Sequence, residues 1–468
     1  MTHTTNGLEF DVLRRAYAAG TLSPVDAVNM AYDRIEATRE TDGVWIHLEP
    51  REGVLAKARA LQELSPEARA AMPLYGLPFG VKDCVDVAGV PTTAACPEYA
   101  YVPEESNPGV ERLVAAGAIF VGKTNLDQFA TGLVGARTPY GIARNPFDAR
   151  YLPGGSSSGA AVSVALGHVS FGLGTDTGGS GRVPASYTAT VGLKPSRGLI
   201  STRGMTPACR TLDCISVYAT SAADALDVLD VAAAPDPTWP YSRANFDVPT
   251  KYRALAGDRF AFGVPRESQL EFHGDSVSEA MFEDGIRALE AMGGTRHEVD
   301  YAPFLEINDM MFMGPMVAER FAIFGEFLKR NPEAGHPITR MIILNAEEIR
   351  AHEAYRMLYR LEELRRQVAT LWESFDTLLV PTVGRPFTIA ELEAEPLKVN
   401  FDHGYYTNFV NPADLAAIAV PNGFGADGLP RGVTFAGPAG TDAWLAELGG
   451  RFHDRRGASR PAPVAVPA

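Results

Sequence analysis

The 468-residue sequence predicts an α/β fold in which a sheet is covered by helices on both faces. Three observations carry that expectation. Over residues 77–192, apolar strand-like runs alternate with helix-like stretches, the pattern of helices that cross a sheet. Two late apolar runs, 416–420 and 432–436, read as further core strands. An apolar fraction of 46% supports a core of that size.

In chain order, residues 8–70 read as helical. Ser23-Pro24-Val25-Asp26 is a helix start, with Ser at the N-cap, Pro in the first turn and Asp as the acid of a capping box. Val25, Val28, Tyr32 and Ile35 then share one face, and 51–64 form a second, Ala-rich helix. At 77–87 the period changes. Phe79, Val81, Val85 and Val87 suggest a strand with an irregularity near Lys82. Taken alone, a lysine in such a run reads as an edge-strand residue that keeps its amine in water. Asn107-Pro108 opens a helix that Gly117 closes, 118–121 is a short buried strand, and Gly122-Lys123-Thr124-Asn125 opens another segment. Residues 234–258, rich in Pro, Asp and Tyr, read as a surface excursion. Residues 276–292 form an amphipathic helix, 310–374 are mostly helical and 375–381 are a buried strand.

Charge and composition remove several functions. The net charge is −15 and Lys/Arg residues form no run, which speaks against a nucleic-acid or anionic-membrane partner. An anionic substrate would therefore need a local Arg or Lys. Four cysteines, without a C-x-x-C pair, are no disulfide framework and suit a reducing cytoplasm. The first residues have neither a basic nor an apolar stretch, so no signal peptide is expected. The most apolar stretch, 160–174, is too short and too rich in Gly and Ser to span a bilayer. No H-E-x-x-H motif or Cys/His cluster offers metal spacing, and no cofactor is expected.

The chemistry is concentrated in 153–182. Gly154-Gly155-Ser156-Ser157-Ser158-Gly159 and Asp176-Thr177-Gly178-Gly179-Ser180-Gly181 flank a segment of small apolar residues. Neither loop is a G-x-x-x-x-G-K-[ST] phosphate loop. Gly155-Ser156-Ser157-Ser158-Gly159 does fit the G-x-S-x-G elbow, but that pattern is weak in a Gly/Ser tract, and the later histidines sit in no suggestive context. An alternative is a Ser–Ser–Lys arrangement of Lys82, Ser156 and Ser180.

Those residues resemble the amidase signature family. The resemblance rests on L-P-F-G-V-K-D at 77–83, P-G-G-S-S-S-G at 153–159, G-T-D-T-G-G-S-G-R-V-P-A-S at 174–186 and G-L-K-P-S-R-G at 192–198. It implies a large mixed β-sheet sandwiched between α-helices. It also implies Ser180 as nucleophile, Ser156 as bridging serine after a cis peptide bond, and Lys82 as terminal base. Backbone N–H groups of Thr177, Gly178, Gly179 and Ser180 would form the oxyanion hole, and Asp176 and Arg182 would brace the loop. The residue types fit that chemistry. A serine hydroxyl needs a base, and a neutral lysine serves once burial has lowered its pKa. Bringing it from ~10.4 to ~7 corresponds to about 4–5 kcal/mol. Each oxyanion donor contributes ~3–4 kcal/mol to the transition state. Ser157, Ser158, Ser163, Ser186 and Ser196 are better read as packing or capping residues.

Further stretches resemble the allophanate hydrolases within that family. They are 125–135 (N-L-D-Q-F-A-T-G-L-V-G), 207–214 (P-A-C-R-T-L-D-C), 314–320 (G-P-M-V-A-E-R) and 406–411 (Y-T-N-F-V-N). The likeness covers about residues 10–445 and implies a homodimeric cytoplasmic enzyme of urea or s-triazine nitrogen metabolism. Its substrate would be a small amide that bears a carboxylate. Arg320 would bind the carboxylate through two parallel hydrogen bonds, with Gly132 also at the substrate. Phe312 stands where the resemblance implies a tyrosine, so one carboxylate contact would be missing. Arg385 adds a cation near the site that the resemblance does not imply. The alternatives are an amidase of broader specificity and the amidase subunit of a tRNA-dependent amidotransferase. A non-catalytic binding protein would be expected to have lost Lys or Ser, and this chain keeps all three. The expected organisation is one amidase domain over 1–450. It comprises N-terminal helices over 1–70, a catalytic core over 71–220 and a largely helical substrate-pocket region over 275–375. A disordered Pro/Ala-rich tail follows over 451–468.

Overall fold

The computed structural model of the chain describes residues 7–243, 259–312 and 314–456, without the side chains of 39–42 and of Phe312. The surface excursion expected at 234–258 lies outside these residues from 244 onward. The expected tail lies outside them from 457 onward. Before that point the last helix, Asp442–Arg456, occupies the first part of the segment expected as tail.

Among the described residues one sheet of eleven strands runs through the molecule. The strands are β1 (Trp45–Leu48), β2 (Pro78–Lys82), β3 (Ile119–Thr124), β4 (Phe171–Asp176), β5 (Val191–Lys194) and β6 (Cys214–Ala219). They continue with β7 (Phe260–Pro265), β8 (Gly294–Val299), β9 (Thr377–Pro381), β10 (Leu415–Phe424) and β11 (Pro430–Pro438). Their order is β1-β3-β2-β4-β6-β5-β10-β11-β9-β7-β8. Parallel pairs around β2 and β7 join antiparallel pairs in the middle, so the sheet is mixed as expected.

Alternation along the strands explains why both faces are covered. In β3, Phe120 enters one core with Leu113 and Leu126. Its neighbours Ile119 and Val121 enter another with Val28, Tyr32, Val54 and Val164 from helices on the opposite face. In β10, Ile418 and Val420 meet Leu445 and Phe452, while Ala417 joins the cluster of Tyr301, Phe304 and Phe409. The caps read from sequence form locally. Ser23 and Asp26 bond reciprocally, and Asn107 accepts from Gly109 N at 2.9 Å.

Two elements differ from expectation. The helical N-terminal stretch contributes β1, a four-residue edge strand against β3. β2 is not an edge. It lies between β3 and β4, Lys82 is fully buried, and the irregularity falls between Phe79 and Gly80.

Candidate active site

Position along the sheet brings the site together. β2 ends at Lys82, and its parallel neighbour β4 ends at Asp176, where the second Gly/Ser loop begins. The first loop leads into the helix Ser158–Ala165, which packs on β4. The Lys82 amine donates to Ser156 Oγ at 2.8 Å and to Thr175 Oγ1 at 2.7 Å. Burial pushes its pKa below the ordinary lysine value; Cys84, Asp127, Asp213 and Asp176 oppose that without overcoming it. The Gly155–Ser156 peptide is cis. Ser157 fixes the adjoining strand, donating to Thr175 O at 3.0 Å and accepting from Thr175 N at 3.1 Å.

Ser180 lies in the second loop and is 3% exposed. Tyr218 of β6 anchors its carbonyl, donating from the phenol at 2.7 Å. Asp176 fills the inside of the loop. Its Oδ1 accepts from Gly179 N at 2.9 Å and its Oδ2 from Gly181 N at 3.0 Å. Arg182 donates to the same two oxygens at 3.0 and 2.9 Å and to Thr407 O at 3.0 Å. Burial raises the Asp176 carboxyl, but the Arg182 guanidinium, Lys194 and the Gly179 N–H together outweigh it and leave the pKa below the ordinary value. Asp176 and Arg182 thus brace the loop. The Gly179 N–H, however, is engaged with Asp176 rather than free. Among the described residues the N–H groups of Thr177, Gly178 and Ser180 have no such acceptor. Gly179 has another requirement. Its φ is +135°, and a Cβ would lie 2.4 Å from Thr407 Oγ1.

Side chains from the quoted stretches 125–135, 207–214 and 406–411 hold the rest. Asp127 donates its N–H to Ser156 O at 3.0 Å, and its carboxylate accepts from Val134 N, Gly135 N and Arg137 N. Gly132 lies against that carboxylate: a Cβ would come 2.8 Å from Asp127 Oδ2. Asp213 accepts from Thr177 Oγ1 at 2.5 Å and from Ala208 N and Cys209 N, and burial pushes its pKa up to about 6. Asn411 donates to Asp176 O at 2.7 Å. Only the quoted stretches 125–135, 207–214 and 406–411 hinted at these residues. Thr175 lies in the quoted run 174–186, but nothing in the sequence marked it as a partner of Lys82.

The segment 207–213 connects the loop to a helical wall. Thr211 donates through its N–H and hydroxyl to Glu319 at 2.9 and 2.7 Å. Arg320 follows in the helix Val317–Arg330 and is 1% exposed, close enough to act on the Cys209 thiol. Met311, from the helix Ala302–Phe312, reaches Gly178. The side chain of Phe312 lies outside the described residues. Arg385 does not join this group. It donates to Glu391 at 2.7 Å and stacks on Phe387, in a separate cleft with His273 and Arg431.

The family model described as Amidase matches residues 26–445. The urea amidolyase of Saccharomyces cerevisiae is 42% identical over 414 residues, which cover 88% of this chain but 22% of that protein. The chain thus spans less than a quarter of the urea amidolyases it matches. A glutamyl-tRNA(Gln) amidotransferase subunit of Geobacillus thermodenitrificans is 33% identical, over 88% of this chain and 90% of that protein. Allophanate hydrolase of Kluyveromyces lactis superposes with a TM-score of 0.88 at 38% identity, covering 94% of this chain and 72% of that one.

Proposed function

The chain belongs to the Amidase family, and from that premise we propose that it hydrolyses allophanate or a close carboxylated urea or amide, releasing ammonia. The observation that carries the reading is the buried Lys82 amine, held between Ser156 Oγ and Thr175 Oγ1 with its pKa lowered. A buried amine of that kind is a base rather than a surface charge.

In this mechanism Ser180 Oγ attacks the scissile carbonyl as its proton passes to Ser156, whose own proton passes to Lys82. The oxyanion forms against the N–H groups of Thr177, Gly178 and Ser180. Collapse breaks the C–N bond, and the relay returns a proton to the departing nitrogen, which leaves as ammonia. Water then cleaves the acyl-enzyme by the same relay. From allophanate this yields a dicarboxylated nitrogen that loses CO2. Arg320, buried in the wall that Glu319 fastens to the 207–213 segment, binds the substrate carboxylate. The likeness to a urea amidolyase and to an allophanate hydrolase supports this choice of substrate.

The protein acts in the cytoplasm as a homodimer. Four free, buried cysteines support a reducing compartment. An exposed apolar stripe of Tyr355, Leu358 and Tyr359 on the helix Ala351–Leu371 supports self-association. Light scattering that reads a monomer at micromolar concentration would reject the dimer.

Ammonia release from allophanate, biuret, malonamate and simple neutral amides tests the function. Turnover of allophanate well above the neutral amides is expected. Good turnover of a neutral amide with none of allophanate rejects the substrate. Labelling of Ser180 by a fluorophosphonate separates an enzyme from a binding protein.

A further inference from the structure

We infer that Asn408 is a specificity-determining residue whose side-chain oxygen accepts a hydrogen bond from an N–H bridging the scissile carbonyl and the carboxylate of the substrate; the inference rests on the hydrolytic reading above. Asn408 is 4% exposed, and its Oδ1 is enclosed with no hydrogen-bond partner among the described residues. It lies on the nucleophile loop. A Cβ on Gly178 would come 2.9 Å from Oδ1 and 3.4 Å from Met311 Cε, so glycine is what admits the carboxamide there. Nearby asparagines are used within the protein: Asn400 Oδ1 accepts from Leu133 N, and Asn411 donates to Asp176 O and Leu212 O. A buried acceptor without a donor is destabilising. One kept against the loop that carries the nucleophile is suited to a donor that arrives with the ligand.

The chemistry of the substrate selects that donor. The scissile carbonyl oxygen and the carboxylate are acceptors. The departing amine must meet the proton relay at Ser156. In a carboxylated urea the remaining donor is the bridging N–H. Malonamate keeps the carboxylate and the scissile amide but has CH2 at the bridge. A pocket built to bond an N–H discriminates against the analogue that lacks it, because the buried acceptor is left unpaired.

The test compares kcat/KM for allophanate and malonamate in the unmodified protein, in Asn408→Leu and in Asn408→Asp. The unmodified protein is expected to favour allophanate by about tenfold or more. Asn408→Leu is expected to lower kcat/KM for allophanate about 10- to 100-fold and to leave malonamate within about threefold, so that the preference collapses. Asn408→Asp keeps an acceptor and is expected to keep the preference, even where the added charge raises KM for both substrates. Equal losses on both substrates, or a preference that survives Asn408→Leu, would overturn the inference while leaving the hydrolytic reading intact. If Asn408→Leu does not fold, loss of the preference in Asn408→Asp overturns it. An unmodified protein that cleaves neutral amides but neither carboxylated substrate overturns both.

Discussion

The groups proposed to react and the wall proposed to meet the substrate are built from different material. Lys82 and Asp176 end neighbouring parallel strands, and the residues around them bond one another over short distances: Lys82 to Ser156 and Thr175, Asp176 to Arg182, Ser157 to Thr175. The wall of Met311, Arg320 and Asn408 comes from two helices and from a segment outside regular structure. It is tied to the loops through Asp213–Thr177 and Glu319–Thr211. A region held by a sheet tolerates little change, because every displacement is shared by its neighbours. A helical wall can exchange side chains without moving the nucleophile. The first region should therefore set whether an amide is cut, and the second which amide.

The largest effect should come from Ser180→Ala, which tests the first half of that contrast. Loss of about 10⁴-fold or more in kcat is expected on every amide, with no acyl-enzyme by intact-mass spectrometry. Lys82→Met should cost about 10³-fold and also raise Tm at neutral pH. The sign follows from linkage. A buried Lys82 with a lowered pKa binds fewer protons folded than unfolded, so its cost to stability falls as pH rises towards the ordinary lysine value. The Tm gain of Lys82→Met should shrink over the same range. An unchanged Tm would mean that the amine is hydrated.

Arg182→Met leaves the buried Asp176 carboxylate without its partner. A loss of about 3–5 kcal/mol in denaturant unfolding is expected, with kcat reduced on all substrates alike. Arg320→Ala tests the other half. It should raise KM for carboxylated substrates by about 10- to 100-fold and change neutral amides little. If neutral amides suffer equally, the two regions are not separable. The smallest change is expected from Thr175→Val. The lost acceptor favours the ammonium form, so its removal should move the acid limb of kcat/KM to lower pH by less than about one unit. That limb itself should lie below the ordinary lysine value, since only neutral Lys82 acts as base.

The same contrast explains what could be read from the sequence. Lys82, Ser156 and Ser180 stand in short runs that resemble the amidase signature, and that resemblance implies the roles proposed for them, so these residues were legible despite the 74 positions between Lys82 and Ser156. Asp127, Thr175 and Asp213 are common residue types, and their contacts with Ser156, Lys82 and Thr177 form only once distant parts of the chain meet, while Asn408 stands out only by the unpartnered oxygen that folding encloses. The Gly179 N–H could not have been assigned from sequence, because its engagement with Asp176 depends on how the loop closes. Lys82 looked like an edge residue because strand order, which buries it, has no local signal. β1 was missed because four residues between two helices give no usable period.

The open sheet described above also bears on solubility. It ends in β1 on one side and β8 on the other, and exposed strand edges invite pairing between molecules. β1 is only four residues long. β8 presents Arg296, His297 and Glu298, with Arg296 and Glu298 exposed. Short length at one rim and charge at the other oppose the stacking of sheets into fibres. A contact between copies is thereby steered away from the backbone edges and towards helical surfaces such as the one that carries Tyr355 and Tyr359.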